Sequence, residues 1–201
     1  MSRPYHLGLF ILGTITLGSC RKQLEEAEYR AYLQDAAHGL TQTRAVGSAT
    51  VMCSYRPTDL LVAQELAGAP RTSPAMLDSL RHHFAGKTYF SLSLAQNGTE
   101  IENQYIRDAT AFTQAVVYLG SGIAHDVYLV NATDSVVALT ALYPRQYGST
   151  GRSTVLLLFD TTRLDLRQGF TLSYHDTRFQ LGTVRFAFEG EDIDRLPTLK
   201  F

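Results

Sequence analysis

Downstream of Gly122 the chain breaks into five short runs of strand-forming residues, and this succession constrains the fold more than any other feature. The runs are His125–Asn131, Ser135–Tyr143, Ser153–Asp160, Phe170–His175 and Thr183–Glu189. They are rich in Val, Leu, Thr, Tyr and Phe, which fit a pleated, half-buried surface. Turn formers separate them at Ala132-Thr133-Asp134, Tyr147-Gly148-Ser149-Thr150-Gly151 and Gln168-Gly169. Phe186 and Phe188 alternate with Arg185 and Ala187, the pattern of a strand with one wet face. Val155–Phe159 is apolar at every position, which predicts burial on both faces or a central place in a sheet. Short strands at such spacing predict a two-sheet sandwich.

The first half of the chain alternates helix and strand signals. Residues 22–38 predict a helix with acids in its first turns and Gly39 to end it. Its apolar face is thin, so it either spans solvent or docks lightly; Tyr29 and Tyr32 favour docking. A strand follows over 43–55, closed by Arg56-Pro57, and Thr58–Leu66 reads equally as helix or strand. Ser73-Pro74 is an N-cap followed by proline at the first helical position, starting a helix that runs to Phe84. Tyr89–Ala95 alternates as a strand, and Asn97-Gly98 predicts a hairpin into a partner over 100–105. Asp108 caps a helix that Gly120 ends. Glu191–Leu196 fits one helical turn. The expected fold class is therefore mainly β (α+β), with an N-terminal helix and a few short helices before residue 122.

Charge excludes one class of partner. With 18 basic against 19 acidic residues there is no surplus to hold a phosphate backbone, so no nucleic-acid partner is expected. The two cysteines are Cys20 and Cys53. Cys53 lies in the strand Thr50–Tyr55, on one face with Val51 and Tyr55, and is expected to be a buried, unpaired small hydrophobe.

The N-terminus carries the clearest address. Arg3 gives a short positive region, Leu7–Thr16 an apolar stretch of about ten residues, and Leu17-Gly18-Ser19-Cys20 closes it. The stretch is too short to span a bilayer, which takes roughly 20 apolar residues. These residues resemble a bacterial lipoprotein signal, whose lipobox is Leu, two small residues and Cys. The resemblance implies cleavage before Cys20, lipid on its sulfur and acylation of the new amine by palmitate-type chains. No Asp follows Cys20, which by the same resemblance implies outer-membrane sorting, and Glu25, Glu26 and Glu28 loosely resemble a Bacteroidota surface-export tract. The expected organisation is a signal peptide over 1–19, a lipidated tether and helix over 20–42, and a single β-rich globular domain over 43–201. The runs Val155–Asp160 and Phe179–Phe186 resemble strands of small immunoglobulin-like envelope domains, implying an immunoglobulin-like β-sandwich.

Chemistry is sparser. His82-His83 are adjacent, about 100° apart on a helix, and cannot share one metal readily. His125-Asp126 and His175-Asp176 are two His-Asp pairs at strand ends; were their strands neighbours, the pairs would converge as a weak metal candidate. Ser149 stands in no nucleophile elbow and Gly148–Gly151 lacks the lysine of a phosphate loop. The loop Tyr143–Arg152 concentrates Tyr143, Arg145, Tyr147 and Arg152, residue types that carry binding hot spots. Two readings follow. The first is a membrane-anchored binding or assembly module without cofactor, held to the bilayer by acylated Cys20 and presenting that loop to an envelope protein or glycan. The alternative is a small metal-dependent envelope hydrolase using the His-Asp pairs.

Overall fold

A computed structural model describes residues 22–67 and 72–201. The signal segment and Cys20 lie outside the described residues. Among those described, no helix is long and apolar enough to cross a membrane.

The chain opens with a two-residue strand, β1 (Gln23–Leu24), and helix α1 (Glu26–Gln34). A reciprocal box between Glu25 and Glu28 caps the helix, so it begins later than composition suggested. A 3₁₀ turn over Ala36–His38 completes the run, and Gly39 ends it at φ 69°. The single strand expected over 43–55 is a hairpin, β2 (Thr41–Val46) and β3 (Ala49–Arg56), turning at Gly47. Thr58–Glu65 is helix α2, and Ser73 caps α3 (Pro74–Phe84) by accepting from the Met76 amide at 3.3 Å. Strand β4 (Lys87–Gln96) turns at Asn97-Gly98, both at positive φ, into β5 (Thr99–Glu100). The expected partner strand stops there and becomes a 3₁₀ segment, Ile101–Tyr105. Asp108 accepts from the amides of Thr110 and Ala111 to start α4 (Ala109–Gly120).

The remaining strands are β6 (Val127–Val130), β7 (Ser135–Val137), β8 (Thr140–Leu142), β9 (Ser153–Asp160), β10 (Phe170–His175) and β11 (Thr183–Phe188). Helix α5 (Gly190–Asp194) and β12 (Thr198–Leu199) close the chain. They sort into two antiparallel sheets and one short parallel pair. The larger sheet has the order β2-β3-β4-β9-β8 with β5 on β4, the smaller β11-β10-β6-β7, and β1 pairs with β12. The run 135–143 is thus two strands in different sheets. The Ala138 amide donates to Val127 O at 3.0 Å in one sheet, and the next amide, Leu139, donates to Leu158 O at 2.8 Å in the other.

Alternation gives each sheet an apolar face, and the two faces share one core. Val51, Leu92 and Leu157 of the larger sheet belong to it, as do Leu129, Leu172 and Phe186 of the smaller and Leu119 of α4. Cys53 is fully buried in this core and free, and burial alone pushes its thiol up. β9 is central, with Val155, Leu157 and Phe159 fully buried and Leu156 and Leu158 half-buried. Helix, 3₁₀ turns included, makes about 35% and strand 34% of the structure, so the fold is mixed α+β in open sheets rather than mainly β. The helices before residue 122 and the 3₁₀ turns account for the difference.

The N-terminal helix is docked. Tyr29 is 1% exposed and packs with Leu24, Leu33, Leu40 and Leu60 against Leu196 and Leu199. The residues from Lys22 to Gln42 therefore belong to the globule.

Candidate functional site

Strands β6 and β10 are neighbours, with Val127 opposite Tyr174 and Tyr128 opposite Ser173. The two His-Asp pairs consequently meet at one end of the smaller sheet. What joins them is a pair of tyrosines. Tyr118 donates to Asp126 Oδ2 at 2.7 Å and lies 3.3 Å from the Tyr174 hydroxyl, which donates to Asp176 Oδ1 at 2.8 Å. Burial, with the neighbouring Asp126 carboxylate, holds the Tyr118 phenol well above its ordinary value. Asp176 also accepts the amides of Arg178, Phe179 and Leu181, at 3.0, 2.9 and 2.7 Å, which folds the turn after β10. Thr177 donates to Asp126 at 2.6 Å. His125 is exposed. The carboxylates are thus committed to hydroxyls and backbone amides, and among the described residues no group of three or more His, Cys, Asp or Glu side chains gathers around a metal position.

His175 points elsewhere, onto the outer face of the sheet. On β10, Phe170, Leu172 and Tyr174 face the core, while Thr171, Ser173 and His175 face out. There they line an open cleft of about 670 Å³ with Asp126, Tyr128, Val130, Ser135 and Arg185. Ser173 Oγ is 3.0 Å from His175 Nε2, and Thr183 Oγ1 is 3.3 Å from His175 Nδ1. The Tyr128 ring meets the imidazole edge-on at 5.6 Å. Each imidazole nitrogen thus has a hydroxyl partner, and a hydroxyl can donate or accept, so either neutral tautomer is accommodated. Although Ser173 sits on the wet face, it is only 5% exposed. Arg185 is in no ion pair among the described residues.

This arrangement can bind. A guanidinium, an imidazole and several hydroxyls converge on one face, and none of them is neutralised by a carboxylate at ion-pair distance. As an acyl-transfer centre it is poorly equipped. β10 is flanked by β6 and β11, so the amides around Ser173 are spent in the ladders and cannot form an oxyanion hole. The Ser173–His175 pair was legible only as two residues apart on one strand face. That it is joined by Arg185 depends on the register of β11, which local sequence does not carry.

The loop Tyr143–Arg152 divides into an inner and an outer part. Tyr143 donates to Glu102, and burial followed by that bond pushes its phenol up. Ser153 also donates to Glu102, and its Oγ accepts the Ile101 amide at 3.0 Å. Arg145 Nε lies 3.9 Å from Glu102 Oε1, and the guanidinium stacks over Phe112 at 4.8 Å and Tyr147 at 4.7 Å. The Gly148 amide donates to Glu100 Oε1 at 2.7 Å. Glu102 is 0% and Glu100 1% exposed. Tyr143 and Arg145 are therefore part of the loop's mooring, whereas Tyr147 is 78% exposed and Arg152 faces solvent. Nothing in the local sequence singles out these two buried carboxylates, which lie in the segment where a partner strand is expected and the structure has a 3₁₀ turn.

No protein-family profile matches the chain, and no curated protein matches it. The chain is similar to a crystal structure of a novel protein of unknown function from Burkholderia pseudomallei K96243. The match covers 85% of this chain and 88% of that one, at 14% identity and a TM-score of 0.38. A likeness at that level bears on neither site.

Proposed function

We propose that the protein is a lipid-anchored module of the bacterial cell envelope, held to the outer membrane through acylated Cys20, that binds an acidic group of an envelope partner in the cleft of the smaller sheet. The observation that carries the binding reading is Arg185 beside His175 and Ser173, facing an open cleft without a carboxylate paired to the guanidinium. Loops and faces carried on a packed sheet are common recognition surfaces. The two sheets with their common core support reading the domain as a sandwich of the immunoglobulin-like kind, and Tyr147 and Arg152 extend the exposed surface on the loop.

Two measurements test this. Cys20→Ala is expected to abolish fatty-acid labelling and leave an uncleaved precursor; undiminished labelling removes the anchor. For the cleft, a photo-crosslinking residue at exposed Val130 is expected to capture a defined envelope component in intact cells. Adding Arg185→Ala and His175→Ala should reduce that adduct at least tenfold while the melting temperature stays close to that of the parent, since exposed substitutions usually cost within about 0.5 kcal/mol. An adduct of unchanged intensity in the double variant takes the cleft out of the interface.

A further inference from the structure

The outer face of the larger sheet points away from the shared core, and it carries a cluster of cations. Ser54, Ser91, Ser93 and Thr154 project from it; Ser54 is opposite Ser91 and Ser93 opposite Thr154 in register. Ser93 and Thr154 bond each other at 2.8 Å. This hydroxyl floor is walled by Arg30 of α1, Arg56 at the end of β3 and Arg152 at the mouth of the loop, enclosing a groove of about 440 Å³. Its lining holds three arginines and no carboxylate, in a chain whose net charge is −1.

The three guanidiniums differ in how well they are satisfied. Arg30 is paired with Glu26 at 2.6 Å. Arg56 gives Nη2 to Gln64 at 3.0 Å, while its Nε is buried without a partner. Burial, then the like charge of Arg30, presses Arg56 below its usual range. Arg152 donates to the Met52 sulfur at 3.7 Å, a weak acceptor. Neither Arg56 nor Arg152 has an ion-pair partner among the described residues. Two guanidiniums without ion-pair partners on one groove offer an anion charge and donors that no side chain claims, and arginine forks suit carboxylate or phosphate oxygens.

Size and lining narrow the anion's class. The groove lies within the roughly 300–1,000 Å³ range of small-molecule sites. It continues past Met52, Ser93 and Arg152 into a second depression of about 440 Å³ that includes Thr43, Thr50 and Thr150. A floor of serine and threonine hydroxyls with Tyr55 at its side matches a ligand that is itself hydroxylated along its length. The groove crosses several strands rather than following a free edge, which disfavours an added peptide strand. We infer that this groove is a second binding site, for an anionic saccharide whose carboxylate or phosphate is held by Arg56 and Arg152.

The test is calorimetric titration of the full chain in uncharged detergent. The probes are trigalacturonate, glucose 6-phosphate, maltotriose and inorganic phosphate. Trigalacturonate, glucose 6-phosphate or both should bind, and which of them does identifies the acidic group. Maltotriose and inorganic phosphate should bind at least tenfold more weakly. Arg152→Ala and Arg56→Gln should each weaken binding at least tenfold, while Arg107→Ala, also exposed, should leave it within twofold. Arg152 is exposed, so its variant keeps the test standing even where Arg56→Gln lowers the melting temperature. The proposal fails if neither anionic sugar binds, if inorganic phosphate or maltotriose binds as well, or if Arg152→Ala binds like the parent.

Discussion

Replacing Glu102 by alanine is expected to lower the stability of the domain by about 3–5 kcal/mol, the range for breaking a buried charged pair from one side. The substitution strips the acceptor from two hydroxyls at once, Tyr143 and Ser153, and leaves Arg145 beside an empty site. Ser153, fully buried, is then left with a donor that has nothing to meet, and the partly buried Tyr143 and Arg145 lose their acceptor; those unmade bonds are the main cost. Glu102→Gln keeps the volume and one acceptor oxygen, so its loss should be markedly smaller. Equilibrium unfolding in guanidinium measures both. The same substitution should free the loop, read as faster hydrogen exchange at Gly148 and its neighbours. A Glu102→Ala protein within 1 kcal/mol of the parent would mean that the carboxyl group does not moor the loop.

Phe90→Ala should cost a similar amount, about 3–5 kcal/mol, by removing a buried ring and leaving a cavity. Phe90 belongs to β4 of the larger sheet and is fully buried. Its ring lies 5.9 Å from Phe159 and 5.5 Å from Tyr55 in its own sheet, and 5.8 Å from Phe170 and 5.3 Å from Phe188 in the other. It is therefore a central contact between the two sheets. Thermal unfolding should fall by on the order of 10 °C and remain a single transition. Phe90→Leu, which refills much of the space, should recover most of the loss. Two separated transitions in Phe90→Ala would show that the sheets fold as independent units.

Local chemistry was legible along much of the chain. Ser73-Pro74, Asp108, Gly39 and Asn97-Gly98 each act within a few residues of themselves, and each starts, caps or turns the backbone where expected. The failures share a cause. The hairpin at Gly47 is marked only by Gly47-Ser48 inside a longer run of strand formers, and the split between β7 and β8 needs no turn residue, because two successive amides simply bond to different sheets. Glu100 and Glu102 gain their burial only when the loop some 40 residues later is folded over them. The candidate sites were least legible. Ser173 and His175 share a face by alternation, but Arg185 joins them through strand register, and Arg30, Arg56 and Arg152 converge from a helix, a strand end and a loop.

The pairing of β1 with β12 sets the order in which the molecule can assemble. Gln23 and Leu24 lie alongside Thr198 and Leu199, and Thr198 and Lys200 donate to the carbonyls of Lys22 and Leu24 at 3.0 and 2.9 Å. Closing a loop that encompasses almost the whole chain carries the largest entropic penalty of any contact here, and only two paired residues on each side offset it. Tyr29 and Leu33 likewise wait for Leu196 and Leu199 before their small core is complete. A chain emerging from its N-terminus thus has Leu40 and Leu60 to pack against α1 early, but leaves the far side of that small core open until Leu196 and Leu199 are made.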